Sequence, residues 1–300
     1  MYLRILGTAA GGGYPQWNCA CHECNQARSL SSGVRSRLHA SIALSATGRN
    51  WYLVNATPDV HHQIESCRAL HPGSGLRSSP LWGVLLTDAE LDHTIGLLIL
   101  REGTPLEIYA TRPVLNALGQ EFPIQSILSP YASFRWVEVN ASQSFMLEDG
   151  GIRVTAFPVG VKRPRYAANS DAEGGWVIGY RFEDTRSKGV MVYAPAIERW
   201  TPELQAELAG ADCALIDGTF WTEDEMQRSG TGGQTATQMG HIPISGEGGT
   251  LERLAAGSAR RAIYIHINNT NPILDEASPE RRRIIASGAE VGRDGMEIEL

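Results

Sequence analysis

Short apolar runs, four to seven residues long, recur along the whole chain and are separated by polar or glycine-rich segments. Many of these runs contain β-branched and aromatic residues, which favour strands over helices. The pattern therefore predicts twelve strands, at Tyr2–Leu6, Ser41–Leu44, Trp51–Asn55, Trp82–Thr87, Leu106–Ala110, Phe134–Val139, Ile152–Phe157, Trp176–Phe182, Val190–Ala194, Ala214–Asp217, Ala262–His266 and Met296–Leu300.

Other segments have helical spacing, and three of them begin near a capping residue followed by proline, at Thr57, Thr201 and Ser278. The predicted helices are Asp59–Leu70, Leu91–Glu102, Pro113–Leu118, Pro202–Ala209, Thr250–Ala255 and Pro279–Ala286. The stretches 162–175 and 229–249 show no periodicity and are predicted to be loops long enough to have a function. Without a repeat or a linker, this order predicts one α/β (α+β) domain over residues 1–300, built around two sheets.

Composition and charge narrow the class of protein. The chain has 26 Lys and Arg against 33 Asp and Glu, a net charge of −7, whereas a nucleic-acid-binding protein usually carries a basic surface. The longest apolar stretches are too short to span a bilayer, and the first residues do not resemble a signal peptide. We therefore expect a cytoplasmic protein with no nucleic-acid partner and no membrane insertion, and leave a homodimer open.

Three of the five cysteines lie within six residues, as Cys19-Ala-Cys21-His-Glu-Cys24. Thiolates this close in a glycine-flanked loop can converge on one tetrahedral metal ion, with a fourth ligand from elsewhere. Zinc is the expected metal, and its role is expected to be structural because the pattern leaves no obvious open coordination position. We predict a zinc loop near residues 17–25, with Cys67 and Cys213 as thiols of the core.

A second set of metal-binding side chains follows three apolar strands. One strand runs into Thr87-Asp-Ala-Glu-Leu-Asp-His93, another ends at Asp217, and a third reaches His266. Sites in α/β folds form beyond the carboxyl ends of strands, so these side chains are expected to meet.

The motif TDAELDH resembles the H-x-H-x-D-H metal loop of the metallo-β-lactamase superfamily. In that resemblance Asp217 corresponds to the bridging aspartate, His266 to the last histidine, and Asp59 to an early aspartate that supports the metal loop. The resemblance implies a four-layer αββα sandwich.

The chain departs from the superfamily pattern at one of the two metal positions. Asp88 and Glu90 replace the paired histidines, and Ala194-Pro195 replaces a further one. A single active-site metal is therefore expected. Two histidines with one or two carboxylates are typical of non-haem Fe(II) oxygenases, so we expect Fe(II), with zinc as the alternative. The expected ligands are Asp92, His93, Asp217 and His266.

Longer strings, including GTAAGGGYPQWNCACHEC, NATPDV and INNTNPILDEASPERR, resemble the pyrroloquinoline quinone (PQQ) biosynthesis protein B family over the whole chain. The resemblance implies a role in making this redox cofactor from the glutamate–tyrosine pair of a peptide. The implied step is hydroxylation of the tyrosine ring by a mononuclear-iron enzyme. Carriage of PQQ or its precursor to the periplasm and zinc-dependent hydrolase or phosphodiesterase activity are the alternatives.

Related cyclic phosphodiesterases have the same cysteine loop, with a zinc-binding histidine three residues after the last active-site histidine. That position here is Asn269, a poor zinc ligand. The fourth ligand is thus expected to be Asn269, His22 or His39.

The remaining candidate residues concern catalysis and substrate. His241, in the string MGHIP, resembles a histidine that lines the active site of relatives, and we expect an acid/base role or a substrate contact. Arg163 and Arg165 could bind the carboxylates of a glutamate-bearing substrate, since arginine pairs carboxylates bidentately. We assign Asp88 and Glu90 to the same substrate site.

Overall fold

The computed structural model describes residues 1–29, 33–102, 105–141, 143–147, 150–255 and 259–300. Within these ranges the strands are β1 (Tyr2–Gly7), β2 (Ser41–Ser45), β3 (Trp51–Val54), β4 (Leu81–Leu85), β5 (Leu106–Ala110), β6 (Phe134–Glu138), β7 (Ser144–Met146), β8 (Ile152–Gly160), β9 (Val177–Asp184), β10 (Val190–Ala194), β11 (Cys213–Asp217), β12 (Ala262–Ile265), β13 (Glu290–Val291) and β14 (Glu297–Glu299). The α-helices of the same ranges are α1 (His22–Arg28), α2 (Val60–Ser66), α3 (Leu91–Thr94), α4 (Arg112–Gly119), α5 (Ile124–Leu128), α6 (Pro202–Leu208), α7 (Glu225–Arg228), α8 (Thr250–Ala255) and α9 (Pro279–Ala286). All twelve predicted strands are present.

The strands form two seven-stranded sheets, in the orders β14-β1-β2-β3-β4-β5-β6 and β13-β12-β11-β10-β9-β8-β7. Alternate residues of one strand face different cores, as expected from the two-residue period of a strand. In β10, Met191 and Tyr193 belong to the core between the sheets, whereas Val192 and Ala194 face the helical layer. Central strands such as β10 and β12 are covered on both faces and are apolar throughout, and the predicted four-layer sandwich is confirmed.

Two predicted helices are shorter than expected. The segment Asp59–Leu70 divides into α2 and a 3₁₀ turn at Arg68–Leu70. The segment Leu91–Glu102 contains only the single turn of α3, and the chain then continues as a 3₁₀ helix over Ile95–Glu102.

Gly96 allows the segment Leu91–Glu102 to pack closely against the loop after β3. Its N–H donates to Ala56 O at 3.0 Å, and a Cβ at this position would lie 2.2 Å from Thr57 O. The backbone is therefore pressed against the loop after β3, which holds the start of α3 in place.

The two predicted loops are confirmed. Residues 162–175 and 229–249 contain short 3₁₀ turns at Arg165–Ala167 and Thr237–Met239 and no longer element. In the described part of the chain, no helix combines the length and apolar character needed to cross a bilayer.

The two sheets are joined at the end where the candidate residues lie. Ala9, just after β1, forms β-bridges to His39 and to Ile267. Ala10 N donates to Ile267 O at 2.9 Å, and Ile267 N donates to Thr8 O at 2.8 Å. These links bring the segment after β12 beside the first loop of the chain.

Candidate metal centre

Asp92, His93 and His266 lie together at this end of the sandwich, each offering one ligand atom within 4.8 Å of the others. Asp92 and His93 belong to the single turn of α3, and His266 follows β12. Asp92 Oδ2 is 3.5 Å from His93 Nε2 and 3.8 Å from His266 Nε2. His266 has a φ of 54°, a left-handed conformation that is uncommon outside glycine and often found at functional sites.

The hydrogen bonds of the two imidazoles expose the same nitrogen to this cluster. His93 Nδ1 is 2.7 Å from the carboxylate of Asp88, which can only accept a hydrogen bond when ionised. His266 Nδ1 is 2.8 Å from the hydroxyl of Thr219, which can accept from the ring while donating to Asp217. When neutral, each ring thus has its lone pair on Nε2, the arrangement typical of metal-binding histidines.

His93 Nε2 provides a test of whether a metal fits. This nitrogen is buried and has no hydrogen-bond partner among the described residues. A buried polar atom without a partner is costly, and a metal ion at the cluster would remove that cost. The two imidazoles and the carboxylate are therefore suited to hold a divalent metal.

The charges of the site favour a cation. Burial opposes the imidazolium form, but the carboxylates of Asp88 and Asp92 outweigh it and raise the pKa of His93 to about 9. Burial likewise opposes ionisation of Asp92, yet His93 and His266 hold the pKa of its carboxyl well below its usual range. A metal ion at this site must therefore displace the proton of His93.

A second cluster shares His266 with the first and adds Asp217 and His241. His241 Nδ1 is 2.7 Å from Asp217 Oδ2, and the rings of His241 and His266 are centred 5.5 Å apart. Asp217 also accepts hydrogen bonds from Ile197 N at 2.7 Å and from Thr219 N at 2.9 Å. The four expected active-site ligands are thus divided between two overlapping clusters, with Asp217 directed at His241.

The three cysteines of the N-terminal loop form a third cluster. The amide nitrogen of Asn269 lies 3.3 Å from Cys19 Sγ, 3.7 Å from Cys21 Sγ and 3.4 Å from Cys24 Sγ. The side-chain amide of Asn269 is thus placed to donate to all three thiols, and Asn269 stays the candidate for the fourth ligand.

The other two candidates for that position lie elsewhere. His22 is on the exposed face of α1, where its ring contacts Gln26, and His39 pairs with Asp59. Neither belongs to the cysteine cluster.

A cavity of about 420 Å³ opens onto the two histidine clusters, within the size range of small-molecule sites. Its charged lining residues include Glu90, Lys162 and Arg165 in addition to the clustered residues. Its apolar lining residues are Ala10, Leu91, Pro164, Val177, Ala196, Phe220 and Met239, with Tyr166 beside them.

Comparison with known proteins identifies the family. A family model described as "Beta-lactamase superfamily domain" matches residues 50–267. The "Coenzyme PQQ synthesis protein B" of Pseudomonas savastanoi pv. phaseolicola is 43% identical over 303 residues, with all of both chains covered. The chain belongs to the PQQ synthesis protein B family.

Another family member and two solved structures are also similar to this chain. The family member from Azotobacter vinelandii is also 43% identical over the full length of both chains. The crystal structure of Zn²⁺-bound PqqB from Methylobacterium extorquens superposes with a TM-score of 0.94, at 39% identity and full coverage of both chains. A diphosphatase of the PhnP family, 20% identical with a TM-score of 0.69 over 100% of this chain and 97% of that one, shares the fold.

Arg163 does not reach the cavity in this member of the PQQ synthesis protein B family. Its guanidinium donates to the carbonyls of Ser170 and Ala172 and lies over the ring of Trp176, so it holds its own loop together. Lys162, which belongs to the same basic run of the sequence, lines the cavity with Arg165 instead. The expectation for Arg163 is therefore corrected.

Asp88 and Asp59 also differ from their expected positions. Asp88 borders the cavity but is 3% exposed, and its carboxylate is used by His93 and by Glu90 N. This arrangement orients the PQQ synthesis protein B metal loop and leaves little of Asp88 for a substrate. Asp59 accepts hydrogen bonds from both N and Nδ1 of His39. Its carboxylate thus contacts His39 and not the residues of the metal loop, so any support of that loop is indirect.

The glycine run after β1 is a further part of the site that the sequence analysis missed. A Cβ on Gly11 would lie 3.2 Å from the carboxylate of Asp92. Gly11 thus leaves the space that Asp92 occupies. No motif in the sequence links residue 11 to residue 92, because the contact depends on how the loop after β1 folds over α3.

Proposed function

We propose that the protein acts in PQQ biosynthesis as a mononuclear metal-dependent hydroxylase of a tyrosine-derived precursor. Membership of the PQQ synthesis protein B family supports the role in the pathway. The observation that carries the proposed reaction is the cluster of Asp92, His93 and His266. Two histidines and one carboxylate would leave several positions open on a bound metal, as in non-haem iron oxygenases.

Iron(II) held by these three residues would supply the activation of O₂. In the overall reaction one oxygen atom enters the aromatic ring and the other leaves as water, with two protons and two electrons from an added reductant such as ascorbate. Zinc(II), which the crystal structure of the Methylobacterium extorquens relative contains, would occupy the same ligands without redox chemistry.

The protein's own residues would orient the reactants and move protons. Asp88 and Thr219 hold His93 and His266 with Nε2 toward the metal, as their hydrogen bonds indicate. Asp217 holds Nδ1 of His241 in the same way, so that the other ring nitrogen can accept a proton from the substrate. Phe220 and Met239 line the cavity and would shield the aromatic ring from water.

The cysteine cluster would hold a separate structural zinc. The carboxamide of Asn269 contacts all three thiols and would complete the four ligands with its oxygen turned toward the ion, because the amide nitrogen is only a donor. Such an ion would tie the first loop of the chain to the loop that follows His266.

The first experiment compares metals in one protein preparation. Protein stripped of active-site metal is loaded with Fe(II) or Zn(II) and given the cross-linked glutamate–tyrosine precursor, or L-tyrosine as a minimal substitute, with ascorbate and O₂. We expect O₂ uptake and a product with one added oxygen atom from the iron form alone. Asp92→Ala and His266→Ala should abolish both, while His62→Ala, at an exposed position, should retain them.

A different outcome would favour a hydrolase. Absence of oxygenated product from the iron form, together with hydrolysis of a phosphodiester or lactone by the zinc form, would overturn the proposed reaction. The replacement of paired histidines by Asp88 and Glu90 argues against that outcome, because those histidines hold the other metal of the hydrolase pattern.

A further inference from the structure

The cavity carries charges of both signs in addition to the two histidine clusters. Glu90 and Lys162 line it together, and Lys162 Nζ is 4.0 Å from Glu90 Oε1. This distance is at the outer limit of an ion pair and too long for a hydrogen bond. Each side chain is about two-fifths exposed, at 38% for Glu90 and 40% for Lys162, so both are accessible from the cavity.

Lys162 is held in position by its backbone and its aliphatic stem. Its N–H and that of Val161 donate to the carboxylate of Glu198, at 3.0 and 2.6 Å. Its stem lies against Gly240, where φ is 83° and a Cβ would be 2.5 Å from Lys162 Cδ. Lys162 Nζ donates to Met239 O, which leaves two of its three N–H groups for other acceptors.

Glu90 is held by the metal loop itself. Its N–H donates to Asp88 Oδ1 at 2.9 Å, and its carbonyl accepts from Thr94 Oγ1 at 2.9 Å. In the described part of the chain, Lys162 is the one cation within 4.0 Å of its carboxylate. The position of Glu90 is thus set by Asp88, the same side chain that orients His93.

Arg165 adds a second positive charge to this side of the cavity. Its guanidinium lies 3.4 Å from the side-chain oxygen of Gln234, a weak contact that leaves most of its donors available. A ligand with only a carboxylate would be attracted by Lys162 and Arg165 and repelled by Glu90. A ligand with only an ammonium group would be attracted by Glu90 and repelled by Lys162 and Arg165.

We propose that Glu90 and Lys162, with Arg165, form a subsite that binds the ammonium and carboxylate groups of an α-amino acid. Glu90 accepts from the ammonium group, while Lys162 and Arg165 pair with the carboxylate. The aromatic ring of the amino acid then extends along Phe220 and Met239 toward His241 and the metal ligands. The inference rests on the proposed function, to which it adds the chemical class and orientation of the substrate.

Lysine is rare in this chain, which makes the subsite directly observable. The 26 Lys and Arg residues include two lysines, Lys162 and Lys188. Incorporation of ε-¹³C-labelled lysine therefore gives two lysine side-chain NMR signals, and it leaves the charge and the N–H groups of each side chain unchanged. The signal of Lys162 is assigned by its absence in Lys162→Met, and Lys188, in a turn outside the cavity lining, is the internal control.

The experiment uses zinc-loaded protein without O₂, so binding is measured apart from any oxygenation. The probes are L-tyrosine, tyramine, which lacks the carboxylate, and 3-(4-hydroxyphenyl)propanoate, which lacks the ammonium group. We expect L-tyrosine to shift the Lys162 signal and leave that of Lys188 unchanged. We expect each of the other probes to bind at least tenfold more weakly, because one charged group of the subsite is left unpaired.

Two variants separate the charges. Their affinities are measured by isothermal titration calorimetry, which does not need the Lys162 signal. Lys162→Met should bind L-tyrosine at least tenfold more weakly and bind tyramine as the parent protein does or more tightly. Glu90→Gln should bind L-tyrosine more weakly and bind the propanoate as the parent protein does or more tightly. Glu65→Gln, an exposed residue outside the cavity lining, should bind all three probes as the parent protein does. Circular dichroism checks that each variant is folded.

The proposal fails if L-tyrosine at its solubility limit does not shift Lys162, or if both cavity variants bind it as tightly as the parent protein. Specific binding without oxygenation by the iron form would leave the subsite standing and reject the hydroxylase. Oxygenation by the iron form that does not depend on Glu90 or Lys162 would support the hydroxylase and reject the subsite.

Discussion

At the scale of single residues, the site depends on the groups behind the histidines as much as on the histidines. Asp88, Thr219 and Asp217 each contact the Nδ1 atom of a different imidazole. The charge of Asp88 has an additional effect, because among the carboxylates of Asp88, Asp92 and Glu90 it does most to raise the pKa of His93 to about 9.

Asp88→Asn should therefore change how metal binding depends on pH. In the parent protein His93 is protonated below about pH 9, so zinc at this site should bind more tightly as pH rises from about 7 to 9 and should release a proton. The variant should release fewer protons near neutral pH and bind zinc about 10- to 100-fold more weakly above pH 9. Titration of the second zinc equivalent in buffers of different ionisation enthalpy measures both effects, with Glu65→Gln as the control.

Glu225 allows a prediction about stability at the same scale. Burial raises its pKa to about 7 from 4.5, against hydrogen bonds from Thr270 and Trp221 N. The folded state therefore holds the proton of Glu225 more tightly than the unfolded state does. The protonated carboxyl contributes its full stabilisation of the folded state below about pH 4.5, and this contribution is lost as pH rises through 7. Between those limits the unfolding free energy should fall by about 3 kcal/mol more in the parent protein than in Glu225→Gln.

Urea unfolding with saturating zinc, from about pH 4.5 to pH 8, measures this difference. Equal pH profiles for the parent protein and Glu225→Gln would show that Glu225 titrates normally.

Single residues also show which parts of the site could be predicted from the sequence and which could not. The motif around Asp92 and His93 identified the metal loop, because its spacing after an apolar strand is specific. The choice between neighbouring Lys162 and Arg163 could not be made, since it depends on which side chain the loop turns toward Trp176. The pairing of His241 with Asp217 joins residues 24 positions apart and has no sequence pattern.

At the scale of elements, strands were easier to predict than helices. Strands buried on both faces are continuous apolar runs, whereas β7 and β13 have three and two residues and too little pattern to detect. The segment Ile95–Glu102 has apolar residues typical of an α-helix but forms a 3₁₀ helix, in close contact with the loop after β3. That contact lies between distant parts of the sequence, so local periodicity does not contain it.

Gly96→Ala tests the contact that holds this element. The added Cβ would meet backbone atoms at 2.2 and 2.7 Å, so α3 and its ligands Asp92 and His93 must move. We expect a loss of about 2 kcal/mol in unfolding free energy, together with weaker zinc binding at the histidine cluster. At Gly73 the nearest atom would be 3.7 Å away, and Gly73→Ala should change stability by no more than about 0.5 kcal/mol.

Urea unfolding and zinc competition measure both glycine variants. Parent-like stability and zinc affinity in Gly96→Ala would contradict the proposed role of this contact.

At the scale of the whole molecule, the cysteine cluster connects the beginning of the chain to its last quarter. Sequence spacing identified the three thiols, and the family resemblance pointed to residue 269. The contact itself depends on the bridge from Ala9 to Ile267 and on the hydrogen bond from Ala10 N, which bring the two loops together.

Asn269→His should strengthen this connection. An imidazole is a much better zinc ligand than a carboxamide, so zinc retention by the cysteines against a chelator should increase at least tenfold and the melting temperature should rise. Asn269→Ala, which removes the donor, should lose zinc faster than the parent protein. Unchanged zinc retention in both variants would show that residue 269 does not complete the site.

The positions of the ligands along the chain have a consequence for how the protein matures. The cysteine cluster is completed by Asn269, which lies 250 residues after Cys19. The histidine cluster of Asp92 and His93 is completed by His266. During synthesis from the amino terminus, both clusters stay incomplete until the segment from residue 266 to residue 269 has been made. Both sets of ligands are therefore completed by the same short segment, and a chain interrupted before residue 266 would lack a ligand at each of the two clusters.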